Sequence, residues 1–194
     1  QVLASQPPDV EHFLLRTSPL DRLCPALCAV MAEISFSEAE AKLRYLESRG
    51  LFLLPLDDFG EWHRYHGQFR AMLYNRLRSH AAAAEVGALH QTAGAWFAAR
   101  GYLDDALQHY SAAGTGDLGA DLLEEQIPSL LRTQQRRQSA HWLHMLPQDT
   151  VQRRPQLLLL SAWLAYMETN MPRVRGLVEQ VEQLRGAEYQ RGKA

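Results

Sequence analysis

Two histidines, His63 and His66, stand three residues apart in WHRYHGQF, close to Asp57, Asp58 and Glu61. Imidazole nitrogens beside a carboxylate are an ordinary donor set for zinc, provided a third ligand completes it. Strand geometry opposes that reading, because residues three apart on a strand point to opposite faces and a shared ion would need a bend between them. His141 and His144 repeat the spacing beside Trp142 on an expected helix. There one ion could be shared, but no third ligand stands near. Cys24 and Cys28 lie four apart in a helical pattern with no further cysteine to complete a metal set. They read as buried, reduced packing residues, which suits a cytosolic protein. Gly114, Gly116 and Gly119 look superficially like a nucleotide loop, yet a dinucleotide fingerprint follows a strand and here a helix precedes it. The G-x-x-x-x-G-K-[ST], G-x-S-x-G and H-E-x-x-H motifs do not occur. The expectation is therefore no metal, no cofactor bound by this chain alone and no enzymatic activity.

The elements that position these residues are mostly helical. The 194 residues are 46% hydrophobic and 22% charged, with a formal net charge of −2, which is enough for one good core or two small ones. Near-neutral charge without a cluster of basic residues gives no electrostatic footprint for nucleic acid. The longest apolar run, around Leu157–Leu160, falls far short of the roughly 20 residues of a membrane span. QVLASQPPDV lacks the basic and apolar regions of a signal peptide, and the missing initiator Met suggests a segment of a longer chain.

Pro7 and Pro8 read as an extended entry to a short helix carrying Val10, Phe13 and Leu14 and ending near Thr17. Ser18 is a candidate cap and Pro19 the first residue of a second helix, with Leu20, Leu23, Leu27, Val30 and Met31 as its stripe. In the next helix Ser37 caps, Glu40 closes a capping box, Leu43 and Leu46 face inward, and Gly50 stops the chain. The period then changes. LFLLPLDD and EWHRYH flank the turn composition Asp57-Asp58-Phe59-Gly60 and read as a β-hairpin, with Pro55 placing the first strand at an edge or bulge. Three helices followed by one hairpin is the pattern of a winged helix.

After Gly67 a helix returns, with Phe69, Met72, Leu73 and Leu77 on one face and Arg70, Arg76 and Arg78 on the other. From Glu85 the chain reads as three helix pairs: 85–100 with 102–113, 116–132 with 135–145, and 155–169 with 171–185. Pair lengths near 30–36 residues suggest a repeat array. Gly94, Phe97, Ala106, Tyr110 and Ala113 fall where a tetratricopeptide repeat places small and aromatic residues, while the later pairs match loosely. MLPQDTVQRRP reads as a loop between the second and third pairs. Trp96, Trp142 and Trp163 read as packing anchors, with a ligand groove as the alternative. Arg132, Arg136, Arg137, Arg153 and Arg154 read as solvated faces or as contacts for an acidic partner.

Four stretches, in order, carry a family resemblance: HFLLRTSPLDRLCPALC, LESRGLFLLPLDDFGEWHRYHGQFRAMLYNRL, LHQTAGAWFAARGYLDDALQHYSAAG and WLHMLPQDTVQRRPQLLLLSAWLAY. Together they resemble the middle of MalT-type transcriptional regulators, the large ATP-dependent LuxR-family activators of bacteria, which belong to the STAND ATPases. The resemblance runs from about Asp9 to about Leu184. It implies an N-terminal P-loop domain that binds ATP or ADP, a winged helix, a helical sensor arm and a C-terminal helix-turn-helix for DNA. In related ATPases a histidine just before the helix that follows the wing touches bound ADP in the resting state, and plant and animal relatives carry it in a Met-His-Asp motif. His66 occupies that place, with Gly67 where the Asp would stand. The resemblance thus implies that His66 senses ADP in the full-length protein and leaves His63 a structural role.

The expected fold is mostly α: a winged-helix domain at 1–82 with one β-hairpin, then a tetratricopeptide-like antiparallel helical array at 83–194. The expected function is a non-catalytic, cytoplasmic regulatory segment that holds the ADP state and relays inducer or partner binding. Its partners would be the nucleotide-binding domain of the same full-length chain and an inducer or regulatory protein on the array, where Trp142, Trp163 and Tyr166 are the candidate contacts. DNA would be reached only through the C-terminal helix-turn-helix, and no membrane is involved. One alternative is DNA binding through the winged helix itself, with helix 37–49 as the reader. Its carboxylates match its basic residues in number, which phosphates would resist. The other is a helical repeat domain binding a small molecule or protein.

Overall fold

In the computed structural model, which describes residues 6–50 and 52–191, α1 (Pro8–Thr17) begins at its proline. Proline costs nothing there, because the first helical N–H has no intrahelical partner. Only Pro7 belongs to the extended entry; Pro8 is already helical. Val10, Phe13, Leu14 and Thr17 form the buried face of α1.

The second helix starts later than the pattern suggests. Ser18 closes α1, its hydroxyl donating to the Leu15 carbonyl at 2.7 Å, and α2 spans Pro25–Ala32. Leu20 and Leu23 are fully buried ahead of that helix. Leu23 exchanges two backbone hydrogen bonds with His63, at 2.7 and 2.8 Å, so its apolar spacing reflects a sheet bridge rather than a helical stripe. Val30, placed on the stripe by spacing, is 45% exposed.

Helix α3 (Phe36–Ser48) is capped by Ser35, not Ser37. The Ser35 hydroxyl accepts the Glu38 N–H at 3.2 Å, and Glu38 in return accepts the Ser35 N–H at 2.9 Å. Two Ser-x-x-Glu patterns overlap in SFSEAE, and the earlier one adds helical residues and their backbone bonds. Glu40 pairs instead with Arg44 along the helix. Gly50, at φ +61°, ends the segment in the left-handed conformation that glycine adopts without a Cβ clash.

Strands β1 (Leu53–Pro55) and β2 (His63–Tyr65) pair antiparallel, with Leu53 opposite Tyr65, Leu54 opposite Arg64 and Pro55 opposite His63. Leu23 occupies the far side of β2. That leaves β1 at the edge, where proline loses no ladder bond. Helix α4 (Gly67–His80) buries Phe69, Leu73 and Leu77. Met72, expected inward, is 43% exposed. Arg70, expected on the solvent face, is part-buried, pairs with Asp21 and donates to the Ser18 and Pro19 carbonyls. Helix α5 (Ala83–Ala98) docks through His90, whose Nε2 lies 2.8 Å from the Tyr74 hydroxyl, and through Trp96, edge-on to Trp62. Burial, reinforced by the nearby Arg70 cation, holds the His90 imidazole below its ordinary range.

The chain forms two compact units, residues 1–96 and 97–194. The second carries α6 (Leu103–Ala112), α7 (Gly116–Thr133), α8 (Arg136–Met145), α9 (Gln148–Arg153), α10 (Pro155–Met167) and α11 (Met171–Arg191). The stretch expected as a loop between prolines contains α9, for which Pro147 is the cap and Thr150 the buried anchor. Leu107, Ala120, Leu123, Trp142, Leu157 and Leu160 form one buried cluster. Burying a side chain of leucine size contributes about 1.5–3 kcal/mol.

Arg154, just before α10, clasps α7. Its guanidinium bonds Asp121, the Asp117 carboxylate at 3.3 Å and Glu124 at 3.5 Å. Those carboxylates recur at helical spacing on one face. Arg154 is therefore an internal tie, not part of a solvated basic face. Among the described residues no helix is long and apolar enough to cross a membrane.

Gly116 opens α7 against Pro147. A Cβ there would lie 2.9 Å from two carbons of the proline ring and 3.0 Å from the Thr150 hydroxyl. Gly116→Ala should therefore cost about 1–3 kcal/mol by overpacking, although alanine is the better helix former. Thermal unfolding checks this, with Gly176→Ala, where a Cβ meets nothing, as the comparison.

Candidate functional site

The junction between β2 and α4 holds His66 by its backbone and leaves its ring outside. The His66 N–H donates to the Phe52 carbonyl at 2.6 Å, so the residue is pinned to the segment just before β1. It sits at the cap of α4 with φ −56° and ψ 135°, and its side chain makes no capping bond. Its imidazole is exposed, 6.3 Å from the Phe52 ring. Phe52 stacks on Phe69 at 5.1 Å, and Phe69 meets Tyr65 edge-on at 5.8 Å. The Tyr65 hydroxyl lies 2.7 Å from the Thr17 hydroxyl in the buried interior. Burial raises the Tyr65 phenol well above its ordinary range, so it stays neutral. An aromatic stack thus carries an exposed imidazole at its rim.

His63 does the opposite. It is 7% exposed, locked between Pro55 and Leu23, and its Nδ1 finds no hydrogen-bond partner among the described residues. One histidine faces the core and the other faces out. Asp57 is occupied as well, accepting the Glu61 and Trp62 N–H groups at 2.9 Å each. It organises the hairpin turn. No group of three or more metal-ligating side chains occurs among the described residues. Cys24 and Cys28 are buried free thiols, and burial beside Cys24 pushes the Cys28 thiol well up, away from the reactive thiolate. A Cβ on Gly67 would meet nothing within 4 Å, so a side chain fits at that position.

In the second unit the three aromatic candidates part company. Trp142 is 4% exposed, and its indole N–H donates to Asp104 at 3.0 Å. Trp163 packs part-buried against the same core, while Tyr166 is 60% exposed. His141 lies 3.2 Å from the same Asp104 carboxylate. None of the three aromatics lines the two adjoining cavities of this unit, of about 770 and 640 Å³. Those are lined instead by α8, α9, α10 and α11, with Leu143, His144, Leu158, Leu164 and Leu177 among the walls. The signal lay in PQLLLLSAWLAYM, which is apolar on nearly every side and so supplies both a core face and a groove wall.

The comparisons with known proteins agree with this geometry. A family model described as the MalT winged helix domain matches residues 1–85. The chain is also 35% identical over 162 residues to the serine/threonine-protein kinase PknK of Mycobacterium tuberculosis (strain ATCC 25618 / H37Rv), and equally to that of Mycobacterium bovis. Those matches cover 84% of this chain but only 14% of the relatives' length. The first 85 residues, with their helices, hairpin and following helix, thus match the pattern of the MalT winged helix domain.

Proposed function

We propose that this chain is a non-catalytic regulatory segment of an ATP-dependent transcriptional regulator of the MalT-like, LuxR and STAND type, working in the cytoplasm. The observation that carries the reading is the exposed His66 ring on a pinned backbone, within a segment that matches the MalT winged helix domain. In the resting state the winged helix packs on a nucleotide-binding domain of the same protein, and the His66 imidazole donates a hydrogen bond to the β-phosphate of ADP. A γ-phosphate crowds or reorders that contact. A bond made in one nucleotide state only supplies the differential affinity a switch requires. The tetratricopeptide-like helices then relay inducer or partner binding, and ATP or ADP is held by that other domain.

Direct DNA reading by α3 is the weaker alternative. Lys42 on that helix is paired with Asp9, and Arg44 with Glu40, so its cations are already engaged.

His66→Ala in the longer regulator carrying this segment tests the proposal. A hydrogen bond to a charged group contributes about 1.5–3 kcal/mol, so ADP should dissociate roughly ten- to a hundredfold more readily. Activity without inducer should rise in parallel. The same substitution in the chain alone should leave its melting temperature in place. Unchanged ADP affinity together with unchanged basal activity sinks the idea.

A further inference from the structure

The junction between α7 and α8 carries cations that the fold leaves unused. Residues 131–138, LRTQQRRQ, are all exposed. Several other arginines are tied down: Arg16 to Glu33, Arg70 to Asp21, Arg76 to Glu11, Arg153 to Asp149 and Arg154 to the α7 carboxylates. Arg132, Arg136 and Arg137 make no ion pair among the described residues. Arg136 and Arg137 line an open cavity of about 770 Å³ together with three glutamines and Glu168. A second cavity, of about 640 Å³, shares Ala140, Leu164 and Glu168 with the first and continues along Leu143, Leu158 and Leu177. The groove therefore carries Arg136 and Arg137 at one end, and along the other a row of leucines interspersed with His144, Arg173 and glutamines.

We infer that this groove docks a peptide segment of a partner protein that combines carboxylates with leucine-like side chains. The carboxylates pair with the forked guanidinium groups of Arg136 and Arg137, a geometry that favours bidentate contact. The glutamine amides offer both donors and acceptors to peptide backbone. The apolar side chains of the peptide lie along Leu143, Leu164 and Leu177. Nucleic acid fits less well. Glu168 lines the cavity, the chain is net negative, and few cations are present to displace counterions from a phosphate backbone. The inference deepens the partner-contact part of the proposed function and does not depend on His66.

The test uses the whole chain and fluorescein-labelled twelve-residue peptides made of Asp, Glu and Leu in three different orders. Asn/Gln versions of each serve as neutral controls. Anisotropy titrations should show saturable binding of at least one acidic peptide, at least tenfold tighter than its neutral version and weakened by salt. Arg136→Glu with Arg137→Glu should reduce that binding tenfold or more at an unchanged melting temperature. Arg64→Glu, on the wing, should leave it intact. Leu164→Asn should weaken the Leu-containing peptides while sparing competition by acid alone. Absence of saturable binding overturns the inference. So does equal binding of the neutral peptides, or displacement of the peptide by an equimolar DNA or RNA duplex. Binding that survives the double arginine variant overturns this surface, while leaving the array a partner-binding element. ADP retention by His66→Ala in the longer regulator, weakened if the switch holds, is measured alongside and separates failure here from failure of the switch.

Discussion

Trp142→Ala is expected to destabilise the second unit by about 3–5 kcal/mol, the usual range for removing a buried aromatic ring. The indole is 4% exposed and packs within the cluster of Leu107, Leu123, Leu157 and Leu160. Its truncation opens a cavity between α7, α8 and α10 that rigid helices fill only partly. It also takes the indole donor away from Asp104, which it meets at 3.0 Å. Trp142→Phe separates the two contributions. It keeps most of the ring and loses the hydrogen bond, so it should cost only about 1 kcal/mol plus any repacking. Urea unfolding of the two variants measures both. A loss below about 1 kcal/mol for the alanine variant would move Trp142 from the interior to the contact surface considered for Trp142, Trp163 and Tyr166.

Leu23→Ala is expected to be comparably severe in the first unit, at about 2–5 kcal/mol. Its side chain is fully buried, and its backbone forms both hydrogen bonds of the bridge to His63. The methyl groups lost are those that fix the segment before α2 against the core. The backbone bonds remain possible, but they lose the packing that holds them in register. Leu54→Ala is the control: its side chain is 38% exposed on the edge strand. It should stay within about 0.5 kcal/mol of the parent, as surface changes usually do. Equal effects at the two positions would show that burial of the Leu23 side chain is not what holds this segment.

The winged helix was legible because its signals are local. Gly50 marks the end of α3, the change from helical to strand period marks the hairpin, and the turn residues Asp57 to Gly60 join its arms. What stayed hidden was set by partners distant in sequence. Nothing near Leu23 announces that His63, forty residues on, will claim its backbone and push the start of α2 back to Pro25. Ser35 and Ser37 offer the same capping pattern, and only the assembled fold chooses between them. Arg70 and Arg154 look like solvent-facing cations until Asp21 and the α7 carboxylates arrive from elsewhere in the chain. The candidate site divides in the same way. The place of His66 at the hairpin-to-helix junction can be read locally, while the ADP-sensing role proposed for it rests on the family resemblance. The groove along Leu143, Leu164 and Leu177 could not be read, because it exists only where α8, α10 and α11 meet.

The hydrogen bond from the His66 amide to the Phe52 carbonyl gives this residue two independent reporters. At 2.6 Å the amide proton is shared with the opposite arm of the wing. Its exchange with deuterium should be slow while the junction stays closed and fast once β1 lifts away. The ring carbons and nitrogens respond instead to whatever lies against the outer face. Isotope labelling of a single histidine would therefore tell a wing that has come apart from a wing that has merely let go of its neighbour.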